Sequence, residues 1–122
     1  MNSNILNRAS AFDHVYDSVI ITDINGVITD WNKASEEIFG HSKSEAVGQL
    51  ISLVHVPEDT EKVTLDVISS ISKSGKWNGR VRSMHKDGTI GKVQSKCIAF
   101  YDEEDNMIGT IGINRKIKED PS

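Results

Sequence analysis

From Asp17 onward the apolar and polar positions first follow a strand rhythm: Val19-Ile20-Ile21-Thr22, then Asn25-Gly26, then Val27-Ile28-Thr29. β-Branched runs suit a pleated, half-buried surface, so both read as strands. Asn25-Gly26 between them predicts a hairpin on a type I′ turn, whose two positive φ values suit that dipeptide. At Asn32 the spacing becomes helical; Asn32 can cap this helix and Gly40 can end it with φ > 0. Ser42-Lys43-Ser44-Glu45 reads as a capping box opening a second short helix, closed by Gly48. Residues 49–54 form a short apolar linker or single turn. Pro57-Glu58-Asp59 then starts the longest helix, with proline in the first turn and acids at the positive end of the dipole. Val63, Val67 and Ile71 recur every four residues with Ile68 beside them, which predicts one buried face, and Ser74-Gly75 stops the helix.

Everything beyond Gly75 reads as strand: residues 76–85, a turn at Lys86-Asp87-Gly88, residues 89–101, an acidic loop over 102–106, and residues 107–117. Three antiparallel strands after a helix make a meander, and with the first hairpin they give five strands and an α+β fold. Upstream, Ile5, Ala9, Phe12 and Tyr16 fall on one stripe of a helix. That stripe suits either a cover for the domain's own sheet or a dimer seam.

Side chains two apart in a strand share a face. In the strand over 89–101 one face carries Val93, Ser95, Cys97 and Ala99, the other Lys92, Gln94, Lys96, Ile98 and Phe100. The last strand sets Thr110, Gly112 and Asn114 against Met107, Gly109, Ile111 and Ile113. If the small and polar sets face the helices, they either let the helices pack close or leave a void. A buried amide without partners costs about 1–3 kcal/mol, so Asn114 is an odd choice for a dry core. Polar groups converging on a cavity are what a small-ligand pocket needs; water or backbone partners would satisfy the same groups. The branched outer set, Ile98, Phe100, Ile111 and Ile113, needs a cover, and a second copy of the chain would supply one.

Composition adds bounds rather than chemistry. At 122 residues, 37% hydrophobic and 26% charged, the chain reads as one ordinary globular domain. A net charge of −4 and no basic stripe argue against a nucleic-acid surface. No apolar run approaches about 18 residues and no charged-then-apolar leader is present, so neither a membrane span nor a secretion signal is expected. One cysteine, Cys97, permits no internal disulfide and suits a reducing cytoplasm; mid-strand, it reads as a small core hydrophobe rather than a nucleophile. His14, His41, His55 and His85 show no metal spacing and sit in loops or at element ends, which predicts solvated surface. No catalytic constellation is visible, so enzyme activity is not expected in these residues, and no metal site either.

Set in order, these parts resemble a PAS domain from about Phe12 to Glu119. The resemblance rests on the first hairpin, Trp31-Asn32, Phe39-Gly40-His41-Ser42, Glu45-Ala46-Val47-Gly48, His55-Val56-Pro57-Glu58-Asp59, Gly75-Lys76-Trp77-Asn78-Gly79, His85-Lys86-Asp87-Gly88 and Gly109-Thr110-Ile111-Gly112. It implies a five-stranded antiparallel sheet in order 2-1-5-4-3, helices on one face, a cavity between, and a sensory role joined to a histidine kinase, diguanylate cyclase or transcription regulator. The implied organisation is an N-terminal amphipathic helix over 1–12, the PAS domain over 13–118, and the start of a linker to an output domain over 119–122.

Carried over by position, the cavity wall takes Ile20 and Thr22 from the first strand, and Phe39, Leu50 and Leu53 from the short helices and linker. Val67 and Ile71 come from the long helix, Val81 and Ser83 from the third strand. Val93, Ser95 and Cys97 follow from the fourth strand, then Thr110, Gly112 and Asn114 from the last. Asn114 falls where flavin-binding light sensors of the family place a glutamine. The flavin photosensor signature fails: Ile51 stands where the photoreactive cysteine would be, which excludes covalent FMN photochemistry. The long helix, residues 60–74, holds no histidine for haem, although His55 precedes it; Trp77 with Gly79 is only loosely similar to FAD-holding members. The family's terminal Asp-Ile-Thr triplet reads Lys116-Ile117-Lys118 here, without the aspartate. A cytoplasmic homodimer with an attached output domain and a small-molecule ligand is the implied setting, with Ile5, Ala9, Phe12, Tyr16 and the outer-face residues as interface candidates.

Overall fold

A computed structural model describes residues 16–118. The strands are β1 (Ser18–Asp23), β2 (Ile28–Trp31), β3 (Lys76–Met84), β4 (Ile90–Tyr101) and β5 (Met107–Lys116). Between β2 and β3 lie α1 (Lys33–Phe39), α2 (Lys43–Ala46), 3₁₀ turns at Ile51–Val54 and Pro57–Asp59, and α3 (Thr60–Ser74). All pairings are antiparallel and the sheet order is β2-β1-β5-β4-β3, the α+β arrangement that the resemblance implies. The expected N-terminal helix over 1–12, with Ile5, Ala9 and Phe12, and the expected linker over 119–122 lie outside the described residues.

The two ends of the sheet are covered differently. Toward β2 and β1 the helices close on the sheet: Ile20, Ile28, Trp31, Phe39, Ala46, Val54 and Val93 form one buried cluster, with Leu53 packed against it. The Trp31 and Phe39 rings meet at 5.7 Å in a tilted pair, and the indole N–H donates to the His41 carbonyl at 3.0 Å. Asn32 is the N-cap of α1 and Gly40 ends it in the left-handed region; Ser42 and Glu45 complete a capping box on α2. Here α2 stops at Val47 in extended conformation, and the Gly48 N–H goes to the Ile28 carbonyl rather than to the helix. Gly48 thus turns the chain onto β2 instead of closing α2.

The first hairpin departs from the two-residue turn expected of Asn25-Gly26. Only Gly26 has positive φ, the Gly26 N–H bonds to the Asp23 carbonyl, and the Asp23 N–H bonds to the Val27 carbonyl. The Asp23 carboxylate accepts from the amides of Asn25 and Val27, which fixes the longer loop. The other two hairpins repeat the pattern over 85–89 and 102–106, with Gly88 and Asp105 in the left-handed position.

Strict alternation holds along β4 but breaks in β5. Phe100 pairs with Gly109 and Tyr101 with Met107, so Ile108 is an extra residue in a bulge. Beyond the bulge Met107 changes face: sequence alternation sets it with Ile111 and Ile113, whereas it turns toward the helices. Gly109 is needed where it stands, because a Cβ there would lie 2.8 Å from the Phe100 ring and would also strike the Thr22 carbonyl. On the outer face Val19, Ile21, Ile98, Phe100, Ile111 and Ile113 are half-buried, and Tyr16 is 96% exposed.

Candidate functional site

Between α3 and the sheet lies a cavity of about 630 Å³, within the range of small-molecule sites. Its origin is local. Pro57 and the acids after it begin the cover, and Arg82 of β3 clamps that end, donating to Asp59 at 2.8 and 2.9 Å and to Glu58 at 2.8 Å. At the other end Gly75 caps α3, and the hydroxyls of Ser70 and Ser74 donate to the Lys76 carbonyl at 2.6 and 3.1 Å. Both ends of the helix therefore stand on β3. Beneath its middle, Ser83, Ser95, Cys97, Thr110 and Gly112 are too small to fill the gap.

The sequence predicts a buried face on α3, yet no residue of this helix is fully buried; Val63, Val67 and Ile71 are half-buried because they overhang the cavity. Ile20, Thr22, Phe39, Leu50, Val81, Val93, Ser95, Cys97, Thr110, Gly112 and Asn114 also line it, as does Ser83. Leu53 does not line it, being packed against the buried cluster from the 3₁₀ turn that holds it. Sequence reasoning missed Met107, Ile51, Val54, Trp77 and the first hairpin loop as wall. The bulge hid Met107, and only a long-range contact brings the loop to residues 50–51, through the Val27–Leu50 bridge and the Ile51 N–H bond to the Gly26 carbonyl.

His55 is a further difference. Its backbone bridges to Ser83, which pulls the ring off the surface to line the cavity. Its Nδ1 is buried with no hydrogen-bond partner, and burial pushes the imidazole pKa down, with the Asp59 charge working the other way. Burial also pushes the Cys97 thiol up, against a hydrogen bond with Thr110, so the sulfur stays protonated and non-nucleophilic.

The polar groups of the floor are ordered. Ser35 Oγ donates to Asn32 Oδ1 at 2.7 Å, which leaves Ser18 Oγ, 2.8 Å from Ser35 Oγ, as donor to it. Ser18 Oγ in turn accepts from Asn114 Nδ2 at 3.5 Å. The chain of bonds orients the Asn114 amide with Nδ2 toward Ser18; among the described residues its Oδ1 has no partner, and the Ser83 and Ser95 hydroxyls have none either. Thr22 and Thr110 hydroxyls are 2.7 Å apart and satisfy each other. The lining contains no lysine or arginine, and its one carboxylate, Asp23, is engaged by loop amides. A flavin phosphate or haem propionate inside the cavity would find no lysine or arginine in the lining, and Ile51 sits on the wall where covalent flavin photochemistry would require a thiol. Among the described residues no group of three or more His, Cys, Asp or Glu could hold a metal, and no helix is long and apolar enough to cross a membrane.

This sheet order, the helical cover and the cavity between them define a PAS-like α+β architecture. The chain belongs to the PAS family: the family model described as the PAS fold matches residues 7–117. It is 48% identical to the PAS domain of a protein from Colwellia psychrerythraea, with a TM-score of 0.90 over 93% of this chain and 97% of that one. It is also similar to the PAS domain, in complex with ethanol, of a LuxR-family transcriptional regulator from Burkholderia thailandensis (TM-score 0.78, 13% identity, 89% of this chain and 96% of that one). A PAS domain from a two-component sensor histidine kinase matches with TM-score 0.78 and 13% identity over 96% of this chain and all of the other, 100%. No curated protein matches the chain.

Proposed function

We propose that this PAS domain is the sensory module of a signal-transduction protein, taking a small molecule into the cavity under α3 and relaying its presence to an output domain. A histidine kinase, diguanylate cyclase or transcription regulator is the class of output we assign. The carrying observation is the cavity itself, whose floor turns Ser83, Ser95 and Asn114 Oδ1 unpaired into apolar surroundings. A purely structural core would fill the volume or pair those groups. The domain also pairs with a second copy in this reading. The apolar outer face, with Ile98, Phe100, Ile111 and Ile113, and the Ile5-Ala9-Phe12-Tyr16 stripe support that part.

Native mass spectrometry of the purified domain, followed by thermal shift against a library of small metabolites, tests the proposal. A co-purifying mass, or a saturable rise in Tm, is expected. A domain that carries nothing and responds to nothing while still dimerising in the ultracentrifuge would replace the sensor by a structural dimerisation module.

A further inference from the structure

We infer that the cavity selects an electrically neutral, mainly apolar molecule carrying one uncharged hydrogen-bonding group, of the amide type, that docks on Ser95 and Asn114; this rests on the reading of the cavity as a ligand site. Ser95 and Asn114 are direct partners in the β4–β5 register, so their side chains stand side by side on the floor. With Nδ2 of Asn114 donating to Ser18, Oδ1 is left as the acceptor and the Ser95 hydroxyl as the donor beside it. An amide matches both: its N–H donates to Asn114 and its carbonyl accepts from Ser95. The apolar body then lies under Val63, Val67 and Ile71 of α3.

Charge is disfavoured from every side. A carboxylate would set its oxygens against Asn114 Oδ1 with no lysine or arginine in the lining to offset them. An ammonium would lose its water to apolar walls; the histidine of the lining is held neutral by burial, and Asp23 sits in the hairpin loop, bound by the amides of Asn25 and Val27. Transfer of an unpaired ion into such a lining is far costlier than transfer of an amide.

Four probes decide it: octanamide, octanoate and octylammonium, which share one chain, and butylbenzene as an apolar reference. Each is titrated at neutral pH against Trp77 fluorescence, since Trp77 lines the cavity, and against Tm. Octanamide and butylbenzene are expected to bind, with the two ions weaker than octanamide by about tenfold or more. Asn114→Leu and Ser95→Ala are each expected to weaken octanamide by about tenfold while butylbenzene binds at least as tightly as before. Should Asn114→Leu lose butylbenzene as well, its fold is damaged and Ser95→Ala decides. An ion that binds as tightly as octanamide, or octanamide affinity unmoved by the variants, overturns the ligand class and leaves the cavity's sensory role standing. Failure of octanamide and butylbenzene alike overturns the ligand class, and the sensory role is then decided by the native mass spectrum and the metabolite screen.

Discussion

Asn32 is completely buried and ties three parts of the chain together. Its Oδ1 accepts from the amides of Val19 and Ser35 at 2.9 and 3.0 Å, and its Nδ2 donates to the Asp17 carbonyl at 3.0 Å. Asn32→Ala removes a helix cap and strands buried groups on β1, so unfolding in urea is expected to show a loss of about 2–4 kcal/mol. The capping role is legible in the sequence, because the residue stands where strand spacing gives way to helical spacing. The tie to β1 is not, since it depends on partners more than ten positions away. His55 shows the same limit: an element-end histidine reads as solvated until the Ser83 bridge draws it inward.

At the scale of elements, the three hairpins share one loop whose fourth residue takes the left-handed region: Gly26 at φ 80°, Gly88 at 90° and Asp105 at 65°. Asn25-Gly26 serves a two-residue turn and this longer loop equally well, so composition does not separate them; the Asp23 carboxylate does. Aspartate tolerates the left-handed region only at a cost that glycine avoids. Asp105→Gly is therefore expected to raise stability by about 0.5–1 kcal/mol in urea unfolding, with ligand affinity unchanged. The inward face from Val93 to Cys97 and from Thr110 to Asn114 was readable from alternation because no bulge interrupts either run. Met107 lies past the bulge, where the rhythm slips by one. On α3 the four-residue spacing identifies the correct face. It carries no information on whether that face meets side chains or a void, which the small residues of β4 and β5 determine.

Across the whole molecule, acid should act in two stages. The His55 pKa lies below its ordinary value of 6.5, so as pH falls through 6.5 the unfolded chain takes up a proton that the folded one refuses, and stability drops. The carboxylates go later: Lys86 and Ser42 hold Glu45 at about 2 against an ordinary 4.5, and Arg82 holds Asp59 below 3.8, so their contribution is lost only as pH falls past those ordinary values. Urea midpoints measured across pH should therefore fall first between 6.5 and the mid-acid range, and His55→Gln should abolish that first step while keeping the second. Only the second stage could be guessed from composition, because burial of one imidazole is a product of the assembled fold. A last consequence concerns mechanics. The start of β1 and the end of β5 are side by side at the centre of the sheet, with Ser18 opposite Asn114 and Asp17 paired to Arg115 at 3.1 Å. Force that separates whatever precedes one strand from whatever follows the other would open the pair like a zip, one rung at a time, and among the first rungs to part would be the one that carries Asn114.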